Sequence, residues 1–270
     1  MCSNVRPCAI VRCAVVGHVE WVESVLVDRV PAAGQIAHAD EDWSEPAGGG
    51  AVAAAQIVKL AGACEFFTAL GDDDLGRRSV ERFAELGITV HAEWFGATRR
   101  AFVQVDGHGE RTITTVGPKL RPRSLPTMDG YDAVFFVAGE PETLRQARAA
   151  KFLSATPREF ETLSEGGVHL DLLVGSNTDP GERYDGGLDT GTVVLTEGQK
   201  GGVADGRRFE AAALTAPIAD TYGAGDSFSA TLTYALGRGD ALDDALALAA
   251  RAGAAVITGK GPYSAQLDTR

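Results

Sequence analysis

One seven-residue string, Asp220-Thr221-Tyr222-Gly223-Ala224-Gly225-Asp226, has residue types and spacing suited to phosphoryl chemistry. Gly223 and Gly225 permit a tight turn and a close backbone approach. A helical run, residues 227–236, follows at once. The turn therefore delivers backbone N–H groups at a helix N-terminus, where the helix dipole also favours an anion. Gly223, Ala224 and Gly225 read as an anion hole, and Asp226 falls in the first helical turn beside it. Transfer of a phosphoryl group needs this pair: donors for the phosphoryl charge and a base for the proton of the attacking hydroxyl. An Asp in such a turn can equally be a helix cap. The complete string, more than the G-x-G-D turn alone, favours the chemistry.

The string resembles the C-terminal signature D-T-x-G-A-G-D of the ribokinase-like (PfkB) carbohydrate kinases, and it matches at every position. The resemblance runs from Val15 to about Gly261. It implies that Asp226 is the catalytic base, that Gly223, Ala224 and Gly225 form the anion hole, and that ATP and Mg²⁺ are the cofactors. The family's N-terminal signature has a glycine pair opening a helix, an Asn a few residues on, and a Leu-Gly ending. Here residues 48–62 read GGGAVAAAQIVKLAG, with Ala53 in place of the Asn. Gly48, Gly49 and Gly50 can still offer N–H groups to a substrate. The family's substrate-clamping Asp, counted from Gly17, falls on Val22. The polar residues nearby are His18, Glu20 and Glu23, and alternation puts Glu20 and Val22 on one face. Glu20 is the candidate for the sugar contact, since a carboxylate accepts two hydroxyl hydrogen bonds.

The other family stretches are partial. Thr196-Glu197-Gly198, with Gly201 beyond, resembles the T-x-G-x-x-G nucleotide loop. Thr196, Gly198 and Gly201, with Thr221 of the signature, are thereby expected to face ATP. Ser176-Asn177-Thr178-Asp179-Pro180-Gly181-Glu182 stands where the family carries the N-x-x-E that orders the magnesium shell. Two registers fit, Ser176 with Asp179 or Asn177 with Glu182, and Asp179 and Glu182 are the candidate metal carboxylates. Gly71-Asp72-Asp73-Asp74-Leu75-Gly76 matches a family turn and reads mainly as an acidic helix start that complements the dipole. Arg99, Arg100 and Arg111 fit a substrate contact or an exposed charged face equally well.

These residues need a scaffold that turns many strand ends toward one place. Apolar runs at 10–19, 64–70, 133–138, 152–155, 170–174 and 192–196 read as buried strands. Helical segments at 51–60, 75–86, 141–150, 157–166, 224–236 and 242–258 come between or after them. Alternation of this kind predicts an α/β fold, a doubly wound and mostly parallel sheet flanked by helices. The β-rich pieces at about 21–44 and 89–116 are expected to stand outside that sheet as a small β lid. The expected organisation is one ribokinase-like kinase domain over 1–270.

Composition narrows the partners. The 270 residues carry a net charge of −12 and 33 glycines. The acidic balance argues against a nucleic-acid binder, which needs a cationic footprint. It also points to a small neutral polyhydroxylated acceptor, a sugar, polyol or nucleoside. No run of about 18 apolar residues predicts a membrane span, and the first 13 residues hold no long apolar segment of a secretory signal. Cys2, Cys8, Cys13 and Cys64 form no C-x-x-C pair and read as reduced thiols of a cytoplasmic protein. An exposed lid edge would suit a homodimer. Two rivals are a nucleoside kinase of the same fold, its purine lined by Trp21, Trp43 and Trp94, and a degenerate nucleotide-binding sensor.

Overall fold

A computed structural model describes residues 11–269. Cys2 and Cys8 lie outside the described residues. The first strand, β1 (Cys13–Val16), is buried along its whole length. It pairs in parallel with β4 (Cys64–Leu70) on one side and β8 (Ala133–Phe136) on the other. From β4 the sheet continues to β5 (Ile88–Trp94). From β8 it continues through β9 (Phe152–Ala155), β10 (Leu170–Ser176) and β11 (Thr190–Thr196). All of these pairings are parallel. The antiparallel hairpin of β12 (Gly202–Ala204) and β13 (Arg207–Phe209) finishes the far edge.

The chain thus leaves β1 in two directions, first toward β5 and later toward β13. The sheet order reverses at β1, and the crevice beyond its carboxyl end is where doubly wound sheets bind ligands. Gly17 and His18 lie at that end.

The helices are α1 (Gly49–Ala61), α2 (Asp74–Glu85), α3 (Pro141–Ala147), α4 (Phe160–Gly166), α5 (Ala224–Gly237) and α6 (Leu242–Val256). Helix α1 is buried on nearly every side, from Gly50 to Val58 and at Leu60. Its alanines let it lie close to the sheet and to α5 at once, a packing that larger residues would prevent. Gln56 is its one buried polar side chain and donates to the Leu267 carbonyl at 2.8 Å.

A second sheet, in the order β3-β2-β6-β7, forms the predicted lid. It comprises β2 (Glu20–Leu26), β3 (Glu41–Ala47), β6 (Arg100–Val105) and β7 (Arg111–Val116). One boundary needs correction. Residues 89–94 were expected in the lid, but β5 pairs with β4 from Cys64–Ile88 to Leu70–Trp94 and is the edge of the main sheet. Helix α2 is the crossover of a parallel β4-α2-β5 unit. The edge position leaves β5 half-exposed, so its alternation reads like that of a lid strand.

The acidic start of α2 also ties body to lid. The Asp73 carboxylate accepts from Gly76 N–H at 2.9 Å, from Thr98 N–H at 2.7 Å and from Thr98 Oγ1 at 2.6 Å. Burial acts to raise this carboxyl, but the hydrogen bonds from Thr98 and the first helical turn win and hold it below its ordinary value. Asp73→Ala removes the cap and frees the strap into β6. Urea unfolding is expected to show a loss of about 2 kcal/mol. An unchanged midpoint would mean that the strap is held elsewhere.

Candidate active site

Helix α5 begins at Gly223, whose backbone sits in the left-handed region at φ 86°. No side chain caps this helix, so its first N–H groups are free for another acceptor. Gly225 is exposed, and a Cβ there would have open space around it. The predicted anion hole is therefore an uncapped helix N-terminus facing a void. Three contacts fix the turn in place. Buried Asp220 accepts from Tyr222 N–H at 2.8 Å and from Gly261 N–H at 3.1 Å. Gly48 N–H donates to Tyr222 Oη at 3.2 Å. Asp220 thus orders the motif and joins it to the loop after α6, a positioning role that the sequence reading left unassigned.

The two glycine-rich signatures meet directly. Gly49 lies so close to Asp226 that a Cβ on it would stand 2.7 Å from Asp226 Oδ1. Gly48, beside it, faces the His18 ring. The Asp226 carboxyl is half-buried, and its ionisation is pushed up to about 6. Desolvation is the main cause, and the like charge of Glu182 adds to it. Arg111 and Arg158 act in the opposite direction. A carboxylate near neutrality, next to free helix N–H groups, can take a proton from a hydroxyl while those N–H groups hold phosphoryl charge.

Glu20, the candidate sugar contact, is buried at the start of β2. Arg99 Nε lies 2.7 Å from Glu20 Oε1, and His18 Nε2 lies 3.8 Å from the same oxygen. Burial raises the Glu20 carboxyl, against the pull of Arg99 and Lys119. Burial also holds His18 well below its ordinary value, helped by Lys119, Arg99, Arg121 and Arg158, so its ring is neutral. Val22 and Ala53 are both buried in one apolar cluster with Val137 and Tyr222. They offer no hydrogen bond to a sugar.

The lid reaches the motif through Arg111. Its Nη1 donates to the Thr221 carbonyl at 2.6 Å and to Thr221 Oγ1 at 3.1 Å. Thr196 Oγ1 donates to the Gly175 carbonyl at 3.2 Å. Gly198 opens a 3-10 turn that Gly201 closes. Asn177 Nδ2 donates to Glu197 Oε1 at 3.0 Å and joins this loop to the one after β10. The hydrogen bonds of Thr196, Gly198 and Gly201 run to these two loops and not to the motif.

Asp179 and Glu182 converge on one guanidinium. Arg158 Nη2 donates to Asp179 Oδ2 at 2.5 Å, and Arg158 Nε donates to Glu182 Oε1 at 3.0 Å. Among the described residues no group of three or more His, Cys, Asp or Glu could by itself hold a metal ion. Two carboxylates do fit a Mg²⁺ that keeps its waters and takes its other oxygens from phosphates. Sequence reading missed Arg158. Its signal was available: it follows Thr156-Pro157 just past a strand's carboxyl end.

The three tryptophans do not form one pocket. Trp21 and Trp43 line adjoining cavities of about 450 and 500 Å³, bounded by Arg78 and free of signature residues. Trp94 is exposed on the edge strand β5.

The doubly wound body, the β lid and the uncapped helix start define a ribokinase-like fold. A ribokinase of Thermotoga maritima superposes with a TM-score of 0.77 at 23% identity, over 96% of each chain. An Arabidopsis thaliana ribokinase, solved with ribose and ATP, gives 0.72 at 21% identity, over 95% of this chain and 96% of its own. An adenosine kinase of Sinorhizobium meliloti gives 0.76 at 18% identity, over 94% of this chain and 96% of its own. In sequence, an aminoimidazole riboside kinase of Salmonella typhimurium is 27% identical, over 83% of this chain and 87% of its own. The model of the pfkB family of carbohydrate kinases matches residues 12–138 and 171–270. The chain belongs to that family of kinases.

Proposed function

We propose that the protein transfers the γ-phosphoryl group of ATP to a hydroxyl of a sugar or polyol, with Asp226 as general base. The observation that carries this is the meeting of Gly49, Asp226 and the uncapped start of α5 at the sheet's reversal point. The acceptor hydroxyl gives its proton to Asp226. Its oxygen forms a bond to the γ-phosphorus as the bond to the ADP oxygen breaks. The N–H groups at Gly223, Ala224 and Gly225 hold the phosphoryl charge. Asp179 and Glu182 would hold Mg²⁺ through its waters, and the metal supplies neutralising charge to the phosphates. Thr196, Gly198, Gly201 and Thr221 border the ATP site, and Gly48, Gly49, Gly50 and Glu20 the acceptor site. The lid covers the acceptor and excludes water, which limits ATP hydrolysis.

The test is γ-labelled ATP offered with a panel of sugars, polyols and nucleosides. One acceptor is expected to take up label with one ADP formed per transfer. ATP binding without transfer to any member would sink the reading in favour of a nucleotide-binding sensor. Transfer to nucleosides alone would move the acceptor class to the one named for the adenosine kinase and riboside kinase relatives.

A further inference from the structure

The lid meets the signature turn along both of its edges. Strand β3, one edge, lies against residues 260–263. Tyr263 Oη donates to the Pro46 carbonyl at 2.7 Å, and Lys260 pairs with Glu41. A Cβ on Gly261 would stand 2.8 Å from Glu45 Oε1. Gly261 N–H in turn donates to Asp220. The other edge, β7, reaches the next residue of the motif. Thr221 N–H donates to the Gly109 carbonyl at 3.0 Å. Arg111 Nη1 donates to the Thr221 carbonyl at 2.6 Å and to Thr221 Oγ1 at 3.1 Å. Two consecutive motif residues are thus tied to opposite edges of one sheet, Asp220 through Gly261 and Thr221 directly.

The two attachments differ in how readily they open. The hydrogen bond between Tyr263 and Pro46 is buried. Every residue of β7, from Arg111 to Val116, is exposed. Segments held by exposed hydrogen bonds open most easily. The turn between β6 and β7 is closed within itself, since Asp106 Oδ1 accepts from His108 N–H at 2.8 Å and from Glu110 N–H at 3.0 Å. It therefore docks and leaves as a unit. Its seat on the body is shaped for glycine: Gly109 has φ 79°, and a Cβ there would stand 2.8 Å from Ile218 Cγ2. Both hydrogen bonds of the Arg111 side chain go to Thr221, and its guanidinium lies 5.6 Å from the centre of the Tyr222 ring. A charged donor makes the stronger kind of hydrogen bond. Arg111 is the charged member of a contact that otherwise rests on one backbone hydrogen bond and the fit of Gly109.

We infer that Arg111 is a positioning residue that latches the β7 edge of the lid onto Thr221, and that the time this latch spends open sets how much ATP is lost to water. The inference rests on the phosphotransferase reading. With the latch shut, the acceptor hydroxyl is the nucleophile that reaches the γ-phosphorus. With it open, a water takes that place. Its oxygen bonds to the γ-phosphorus as the bond to the ADP oxygen breaks, its proton passes to Asp226, and inorganic phosphate leaves with ADP. Hydrolysis then scales with the open fraction, even when that fraction is small, whereas transfer draws on the closed state.

Amide exchange at Thr221 reads the same open fraction with no substrate present. Arg111→Met keeps the apolar stem and removes the charge and both hydrogen bonds, while Arg111→Lys keeps the charge. Arg111→Met is expected to speed exchange at Thr221 about 10-fold, to leave the buried amides of α1 unchanged, and to raise the ratio of ATP hydrolysis to transfer by a similar factor. Both reactions use Asp226, so the ratio cancels any effect on the base itself. Arg111→Lys should restore most of both readouts. Gly109→Ala unseats the turn with Arg111 in place and should move both in the same direction as Arg111→Met. Unchanged exchange at Thr221 in the two disruptive variants would overturn the inference. So would exchange that rises equally in α1, which is loss of the whole fold. Faster exchange with an unaltered ratio would overturn it too, because the contact would then be structural alone. A fall in kcat with exchange unaltered would place Arg111 on the phosphates instead of the latch. If the protein transfers to no acceptor, the phosphotransferase reading falls and the exchange arm alone decides the latch.

Discussion

Asp226→Asn is expected to lower phosphoryl transfer by about 10²–10⁴-fold and, at the same time, to raise the melting temperature. The first effect follows from the loss of the proton acceptor. Asn keeps the shape and still fits beside Gly49, so the loss falls on kcat and leaves the KM values near those of the parent. The second effect follows from the raised ionisation of Asp226, at about 6 against an ordinary 3.8. The folded state resists the charge more than the unfolded chain does. Above pH 6 the ionised carboxylate therefore costs stability, on the order of 3 kcal/mol. Between pH 6 and 3.8 the folded protein takes up the proton first, and the cost fades as pH falls. Below 3.8 both states are protonated and the cost is gone. The gap in melting temperature between variant and parent should be wide at pH 7.5 and narrow at pH 4.5. Transfer by the parent should fall as pH drops through about 6, because the base is lost. Near-parental transfer by the variant would remove Asp226 from the reaction.

The body of the fold was legible because its signals are local. Buried strands such as residues 133–136 and 170–174 are short apolar runs, and the crossover helices show their own period. Strand β5 was misplaced because an edge strand and a lid strand alternate alike; only its pairing with β4 tells them apart. The glycine-rich end of the candidate site was legible in its placement for a different reason. Its geometry is made by backbone, so glycine spacing records it. The surroundings of Glu20 are made by side chains from distant segments. Glu20, Arg99 and Lys119 come from three places in the chain, and no spacing rule joins them.

Gly49→Ala is expected to cost about 10²-fold in transfer while leaving folding almost untouched, an imbalance that few core substitutions give. Gly49 is the first residue of α1, and its φ is not in the left-handed region. Alanine can therefore adopt the backbone, and in a helix it gains about 0.5–1 kcal/mol over glycine. Its Cβ would stand 2.7 Å from Asp226 Oδ1 and 3.0 Å from Val137 Cγ1. Both atoms are ends of side chains, so they can yield by rotation. The strain is relieved by moving the carboxylate, and a base displaced by about 1 Å costs on the order of 10² in rate. The two terms act on different observables. Helix propensity offsets the crowding at Val137, so the melting temperature should stay within a few degrees of the parent. The loss should appear in kcat, with ATP affinity retained, because the N–H groups of α5 do not move. A large fall in melting temperature would show that Asp226 cannot yield and that the contact is structural. Unaltered transfer would show that the carboxylate works from a position other than the one beside Gly49.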